Sequence, residues 1–257
     1  MMLDNDFARC VVGVRAEYLV FPALEKYPEL GAAFAIRGLN NYHYDPISKD
    51  ANYAGIAAEL GLDVDNLVLP HQEHTANVAE YDDEKRDFAN TDGIITTKRG
   101  VALCTKVADC ISLLLYDPVH HAIANIHSGW KGTLQKIALN GVRKMIEEYG
   151  TNPADLVCVI CPSIRQDHFE VERDVYDEYA REFSQIIDEV TIYRGAKYDI
   201  DTVRCNTWML QSAGVRPENI IDSNLCTVCH CDLINSFRGN KEGEKHWRNL
   251  ALIWLKE

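Results

Sequence analysis

The stretch Val107–Thr133, VADCISLLLYDPVHHAIANIHSGWKGT, decides how the chain is read. Two apolar, β-rich segments, CISLLLYD (110–117) and AIANIHS (122–128), are separated by a short polar turn, as in two buried strands. Cys110 opens the first segment and His127 ends the second, just before a glycine-flanked turn. Working outward, NLVL (66–69), GIITT (93–97) and VALCT (101–105) are also short and β-rich, so residues 66–128 are expected to form a sheet. CVVGVRAEYLVF (10–21) predicts a strand or hairpin, and NYAGIAAELGL (52–62) a short helix. Downstream, GTLQKIALNGVRKMIEEYG (132–150) predicts one helix stopped by Gly150, with Leu134, Ile137, Ala138, Val142, Met145 and Ile146 at helical spacing. DLVCVICP (155–162) predicts a buried strand. RDVYDEYAREFSQII (173–187) and DTVRCNTWMLQSAG (201–214) predict helices, and RNLALIWL (248–255) a closing strand. Strands that precede and then alternate with helices indicate an α/β or α+β layered fold with a mixed sheet.

The chain has 257 residues, enough for one full core, and no linker-like or repetitive segment, so residues 1–257 are expected to form one domain, with two intimately packed halves as the alternative. The formal charge of −13 is dispersed apart from YDDEKRD (81–87). Such a surface repels phosphate backbones and anionic lipid, which argues against nucleic acid and membranes as partners. The N-terminus carries acidic residues where a signal peptide needs basic ones. Nine cysteines, an odd number scattered through strand-like segments, point to a reducing cytoplasm and to thiols that are free or metal-bound.

His74, Cys110 and His127 all sit at predicted strand termini, where loops converge. Two imidazoles and a thiolate suit Zn²⁺, and three protein ligands leave a fourth position for water, as in catalytic sites. From spacing alone this signal is weak: a cysteine at a strand end is usually a small buried hydrophobe, and a lone histidine a surface or satisfied residue.

The motifs HQEHTANV (71–78), TDGIITTKRGVALCTKVADC (91–110), IHSGWKGT (126–133), CPSI (161–164) with FEV (169–171), and NSFR (235–238) resemble, in order, those of the YfiH-like laccase-domain family. The resemblance spans roughly residues 30 to 255, and the pairing of ADC with HSGWKG is its most specific part. It implies that His74, Cys110 and His127 hold zinc, and that Cys110, His127, Asp92 and Asp109 serve catalysis. Gln72 and Thr91 are implied substrate contacts. Implied activities are phosphorolysis of adenosine, inosine, guanosine and methylthioadenosine, deamination of adenosine, oxidation of polyphenols, and editing of peptidoglycan precursors. The family's fold in turn resembles that of deamidating cysteine-hydrolase toxins.

Deamination needs an activated water and an acid/base group, for which Asp92, Asp109 and Glu73 are all candidates. Phosphorolysis needs a held phosphate. Arg37, in FAIRGLNN (34–41), matches the family's Arg-Gly segment and can bond phosphate bidentately. The loop after it, RGLNNYHYDP (37–46), is shorter than the family pattern, so Arg165, Arg238 and Lys131 are alternative phosphate contacts. Two histidines and a cysteine also make the equatorial set of a blue-copper site, so copper binding is conceivable. Nine histidines without a His-Cys-His relay argue against a true multicopper oxidase. A second cluster, CTVCHC (226–231), places Cys226, Cys229, His230 and Cys231 together, with His246 near in sequence. It lacks a second Cys-x-x-Cys half, so free thiols are its simplest reading and a second metal is left open. A zinc-containing protein-binding domain is the non-enzymatic alternative, and oligomeric state is not readable.

Overall fold

The computed structural model describes residues 3–36, 51–83, 87–240 and 247–257. In chain order the strands and helices begin with β1 (Arg9–Val12), β2 (Glu17–Val20), α1 (Pro22–Glu25), β3 (Leu30–Ala35) and α2 (Ala51–Glu59). There follow β4 (Leu67–Val68), β5 (Val78–Glu80), β6 (Gly93–Thr96), β7 (Ala102–Val107), β8 (Ile111–Asp117) and β9 (Ala122–Ser128). Next come α3 (Trp130–Leu134), α4 (Ile137–Tyr149), β10 (Val157–Ile160), β11 (Glu170–Val171), α5 (Arg173–Glu182) and α6 (Ile187–Val190). The chain ends with β12 (Thr191–Arg194), β13 (Lys197–Ile200), α7 (Thr202–Ser212), β14 (Ile220–Asp222) and β15 (Asn249–Leu255).

The strands between 66 and 128 do not make one sheet, as their succession suggests. They are dealt into two six-stranded sheets, ordered β1-β2-β3-β15-β7-β4 and β14-β10-β8-β9-β6-β5. Both are mixed: β4 runs parallel to β7, β5 to β6 and β10 to β14, and the other pairs are antiparallel. The sheets pack face to face. Leu103, Ala251 and Ile253 from one meet Leu114, Tyr116 and Val159 from the other. Alternate residues of β8, Leu113 and Leu115, point the other way, under Val142, Met145 and Met209 of α4 and α7. On the far side of the first sheet, Cys104, Leu252 and Trp254 are covered by Tyr53, Ile56 and Ala57 of α2. The layers therefore run helix, sheet, sheet, helix. A strand covered on both faces reads as an unbroken apolar run, which is the pattern of CISLLLY.

The single helix expected over 132–150 is two. Lys136 stands in the left-handed region (φ 64°) between α3 and α4. Its ammonium lies 3.2 Å from the Phe183 ring centroid and donates to the Glu182 carbonyl at 2.7 Å. Gly150 ends α4 as expected, with a left-handed φ of 69° and its N–H on the Ile146 carbonyl. A small sheet, β11-β13-β12, was not legible: its strands are only two to four residues long and mostly exposed or half-buried, so they carry no buried-strand pattern. Among the described residues no helix is long and apolar enough to cross a membrane.

Candidate active site

β8 and β9 form an antiparallel hairpin in which Ser112 faces His127 and Ile111 faces Ser128. That register puts Cys110, two residues before Ser112, beside the His127 end of β9. The backbone bends into β8 at Asp109, which has a left-handed φ of 83°. His74 arrives from the loop between β4 and β5, itself left-handed (φ 61°). Its Nε2 lies 3.7 Å from Cys110 Sγ. The two imidazole rings meet edge-on with centroids 4.8 Å apart. The ligand atoms of His74, Cys110 and His127 all lie within 4.8 Å of one another.

Asp92 holds this arrangement from behind. It is fully buried. Oδ1 accepts from His127 Nδ1 at 2.7 Å and from the His74 backbone N–H at 3.0 Å. Oδ2 accepts from the Thr75 N–H at 2.8 Å and the Thr75 hydroxyl at 2.7 Å. Burial pushes the Asp92 carboxyl up, but the bonds from His127 and Thr75 win and hold it down at about 2. With the Asp92 bond fixing the proton on Nδ1, Nε2 of His127 is the nitrogen that faces the cluster, and it becomes an electron-pair donor when a metal displaces its proton. Burial likewise opposes ionisation of Cys110, yet His127 and His74 bring its thiol down to about 6. His127 is raised to about 9, burial being outweighed by Asp92 and Cys110.

The donors fit a metal. Tetrahedral Zn²⁺ with its usual bond lengths separates a thiolate from an imidazole nitrogen by roughly 3.5 Å, which is close to the His74–Cys110 spacing. Gly129 keeps the cradle open. A Cβ there would fall 2.4 Å from His74 Cδ2 and 3.3 Å from Cys110 Sγ. Its φ of −72° suits any residue, so space alone demands glycine. Gly129→Ala is therefore expected to displace His74, lower the melting temperature through about 1–3 kcal/mol of overpacking, and reduce bound metal. Differential scanning calorimetry with elemental analysis checks this; an unchanged melting temperature and metal content would refute it.

The cluster opens on a cavity of about 650 Å³. Each motif quoted from the sequence sends residues to it: Gln72 and His74, Asp109 and Cys110, His127 and Trp130, Ile164, Phe169 to Val171, and Phe237 with Arg238. Gln72 is buried and bonds both backbone groups of Lys106 at 2.8 Å. Asp109 lines the cavity but receives three donors at 2.6 Å, from the Thr227 and Ser236 hydroxyls and the Arg238 N–H, and so anchors the loop that carries Arg238.

Several expected residues lie elsewhere. Thr91 is buried beneath a separate depression with Asn77 and Glu80, and its hydroxyl donates to the Ala89 carbonyl, so it does not reach the cavity. The Glu73 side chain is exposed and is not part of the wall. Arg165 is bidentate to Asp222 at 2.6 and 2.7 Å, in another depression, and is not a phosphate contact of this cavity. Lys131 is exposed beside the Trp130 ring, outside the wall. Arg37 lies outside the described residues. Two cavity cations were not singled out in the sequence: Lys106, adjacent to the ADC motif, and Arg248, adjacent to the last strand. Lys106 lies within the quoted 91–110 motif and Arg248 outside every quoted motif, and only the fold brings the two to one cavity.

Residues 40–256 match the model of a family described as multi-copper polyphenol oxidoreductase laccase. A purine nucleoside phosphorylase of Bacteroides thetaiotaomicron is 32% identical over 201 residues, covering 74% of either chain. Adenosine deaminase RL5, from an unknown prokaryotic organism, is 28% identical over 98% of this chain and 97% of its own. The crystal structure of the hypothetical protein YfiH of Bacillus licheniformis superposes with a TM-score of 0.86 at 25% identity, over 96% of this chain and 99% of that one.

Proposed function

The chain belongs to the YfiH-like laccase-domain family, and from that membership we propose that it is a zinc-dependent enzyme that phosphorolyses purine nucleosides and deaminates adenosine. The observation that carries the reading is the two-imidazole, one-thiolate cluster at the wall of a nucleoside-sized cavity. The names of the phosphorylase and deaminase relatives support it. A zinc ion held by His74, Cys110 and His127 would supply Lewis acidity and lower the pKa of a coordinated water.

This chain's own residues do the rest. Trp130, Phe169 and Val171 offer apolar surface to a purine ring. Arg238 and Arg248 bring guanidinium groups to the cavity for phosphate, a contact that suits their planar fork. Asp92 stays a carboxylate at neutral pH and serves to orient His127, and Asp109 serves to position the loop of Arg238. Proton transfer then falls to the other carboxylates of the cavity lining, Asp174 and the Lys197-paired Glu170 and Glu172. Among the described residues two groups of three or more metal-ligating side chains occur, too few for the several coppers that reduction of O₂ to water requires.

The test is incubation of the zinc-loaded protein with adenosine, with and without phosphate, and identification of the products. Inosine is expected in both cases and adenine only with phosphate. Absence of both products overturns the reading. Arg248→Ala is expected to lower adenine formation by on the order of 100-fold, as for a lost charge-assisted transition-state contact, and to leave inosine formation within a few-fold. An equal fall in both products would make Arg248 a general substrate or structural contact. The same split, applied to Arg37→Ala, decides whether the shortened loop contributes to the phosphate site.

A further inference from the structure

We propose a second metal site, made by His168, Cys226 and Cys229, that takes zinc and cross-links two wall segments of the cavity. The side chains converge from distant parts of the chain. His168 Nε2 lies 3.1 Å from Cys229 Sγ, and the ligand atoms of all three residues lie within 4.8 Å of one another. Cys226 is buried, His168 half-buried and Cys229 exposed, so the group has an inner anchor and an open side for metal entry. The sequence places His230 beside these cysteines, but its Nδ1 is bonded to the Cys226 carbonyl at 2.9 Å. The imidazole that completes the Cys-x-x-Cys half comes instead from His168, 58 residues before Cys226. Two thiolates and one imidazole are suitable zinc donors, and the spacing of Cys226 and Cys229 is the usual one for zinc-binding cysteines. The fourth position falls to water.

The location explains what such an ion would do. Residues 227–240 contain turns and no strand or helix. This loop is tied to the 163–168 segment by the Ser163–Cys226 bridge and by the Thr227 N–H on the Ser163 carbonyl at 3.1 Å. His168 directly precedes Phe169, Glu170 and Val171, and the loop goes on to Phe237 and Arg238, all five of which line the cavity. The Arg238 guanidinium donates to the His168 carbonyl at 3.1 Å. A metal bound at the knot of these two irregular segments fixes the wall where secondary structure does not.

The test uses full-length Cys110→Ser protein, whose first cluster has lost its thiolate, and does not read turnover. It therefore separates this site from the nucleoside reading. Cobalt(II) is added to the reduced, metal-free protein. Thiolate-to-cobalt charge-transfer absorption with tetrahedral d–d bands is expected, bleached by one equivalent of zinc per chain. Because Cys226 is buried, the disrupting variants are placed at the accessible ligands. Adding His168→Gln or Cys229→Ser to that background should weaken zinc binding at least 10-fold, with an unchanged circular dichroism spectrum. Folded protein without a thiolate–cobalt band overturns the proposal. So does native protein isolated lighter by two hydrogens, with Cys226 and Cys229 joined as a disulfide.

Discussion

Cys110→Ala is expected to give a folded protein that has lost the metal of the first centre and both nucleoside activities. Cys110 is the sole sulfur of the centre and sits between two imidazoles, 3.7 Å from His74 Nε2. Without it, two neutral nitrogens remain for a cation that prefers charged sulfur. Loss of even an outer partner of a zinc ligand lowers affinity about 10–100-fold, so removal of the thiolate itself should exceed that range. The fold should survive, because the change deletes one small side-chain atom. Elemental analysis is made in a Cys229→Ser background, so that only the first centre is counted. Retention of one equivalent of zinc there, or of full turnover, would sink the assignment. Alkylation gives an independent view. In metal-free protein the Cys110 thiol ionises near pH 6, so iodoacetamide should still modify it at pH 7, where an ordinary cysteine is mostly protonated. Zinc should protect it.

What was legible in the chain follows from burial. The strands β8 and β9 are covered on both faces, so their residues form apolar runs that end visibly, and the ends are where Cys110 and His127 sit. The hairpin itself fixes their proximity, because adjacent antiparallel strands share a register. Partition of the other short strands between two sheets was not legible, since a buried strand carries no mark of which sheet it joins. The same limit hid the partner of Cys226 and Cys229. His168 lies in a single turn of 3₁₀ helix, Gln166–His168, whose sequence shows no periodicity and no ligand spacing. Arg248 was equally silent, since a lone arginine before a strand reads as surface until the cavity is seen beside it. For Asp92 the sequence suggested proton transfer. Its hydrogen bonds show two other duties: it caps the 73–75 turn and orients His127 with the same carboxylate.

That double duty makes Asp92→Asn the second large effect. The amide has one oxygen where the carboxylate has two. If that oxygen takes the place of Oδ1, it still accepts from His127 Nδ1, but the NH₂ then confronts the Thr75 N–H and hydroxyl and the Glu73 N–H, all donors toward Oδ2 in the native protein. The other orientation faces His127 with the NH₂, so Nδ1 must become an acceptor, the proton moves to Nε2, and the metal loses a ligand lone pair. Either choice leaves buried donors unpaired at about 1–3 kcal/mol each. A loss on the order of 3 kcal/mol corresponds to roughly 6–12 °C in melting temperature for a chain of this size. Zinc affinity should fall about 10–100-fold in addition. The pH dependence identifies the cause. In the metal-free native protein, Asp92 is depressed to about 2, so its contribution is complete above the ordinary carboxylate range near pH 4 and disappears as the pH falls toward 2. Between about pH 6 and 9 the raised His127 binds a proton on folding while the depressed Cys110 loses one, so their contributions offset and this window stays flat. Asp92→Asn should remove the acid limb between pH 4 and 2, worth about 2 kcal/mol in the native protein. Calorimetric melts across pH 2–10 with a chelator present measure it. A variant that melts lower by a constant amount at every pH would show that Asp92 acts only through packing.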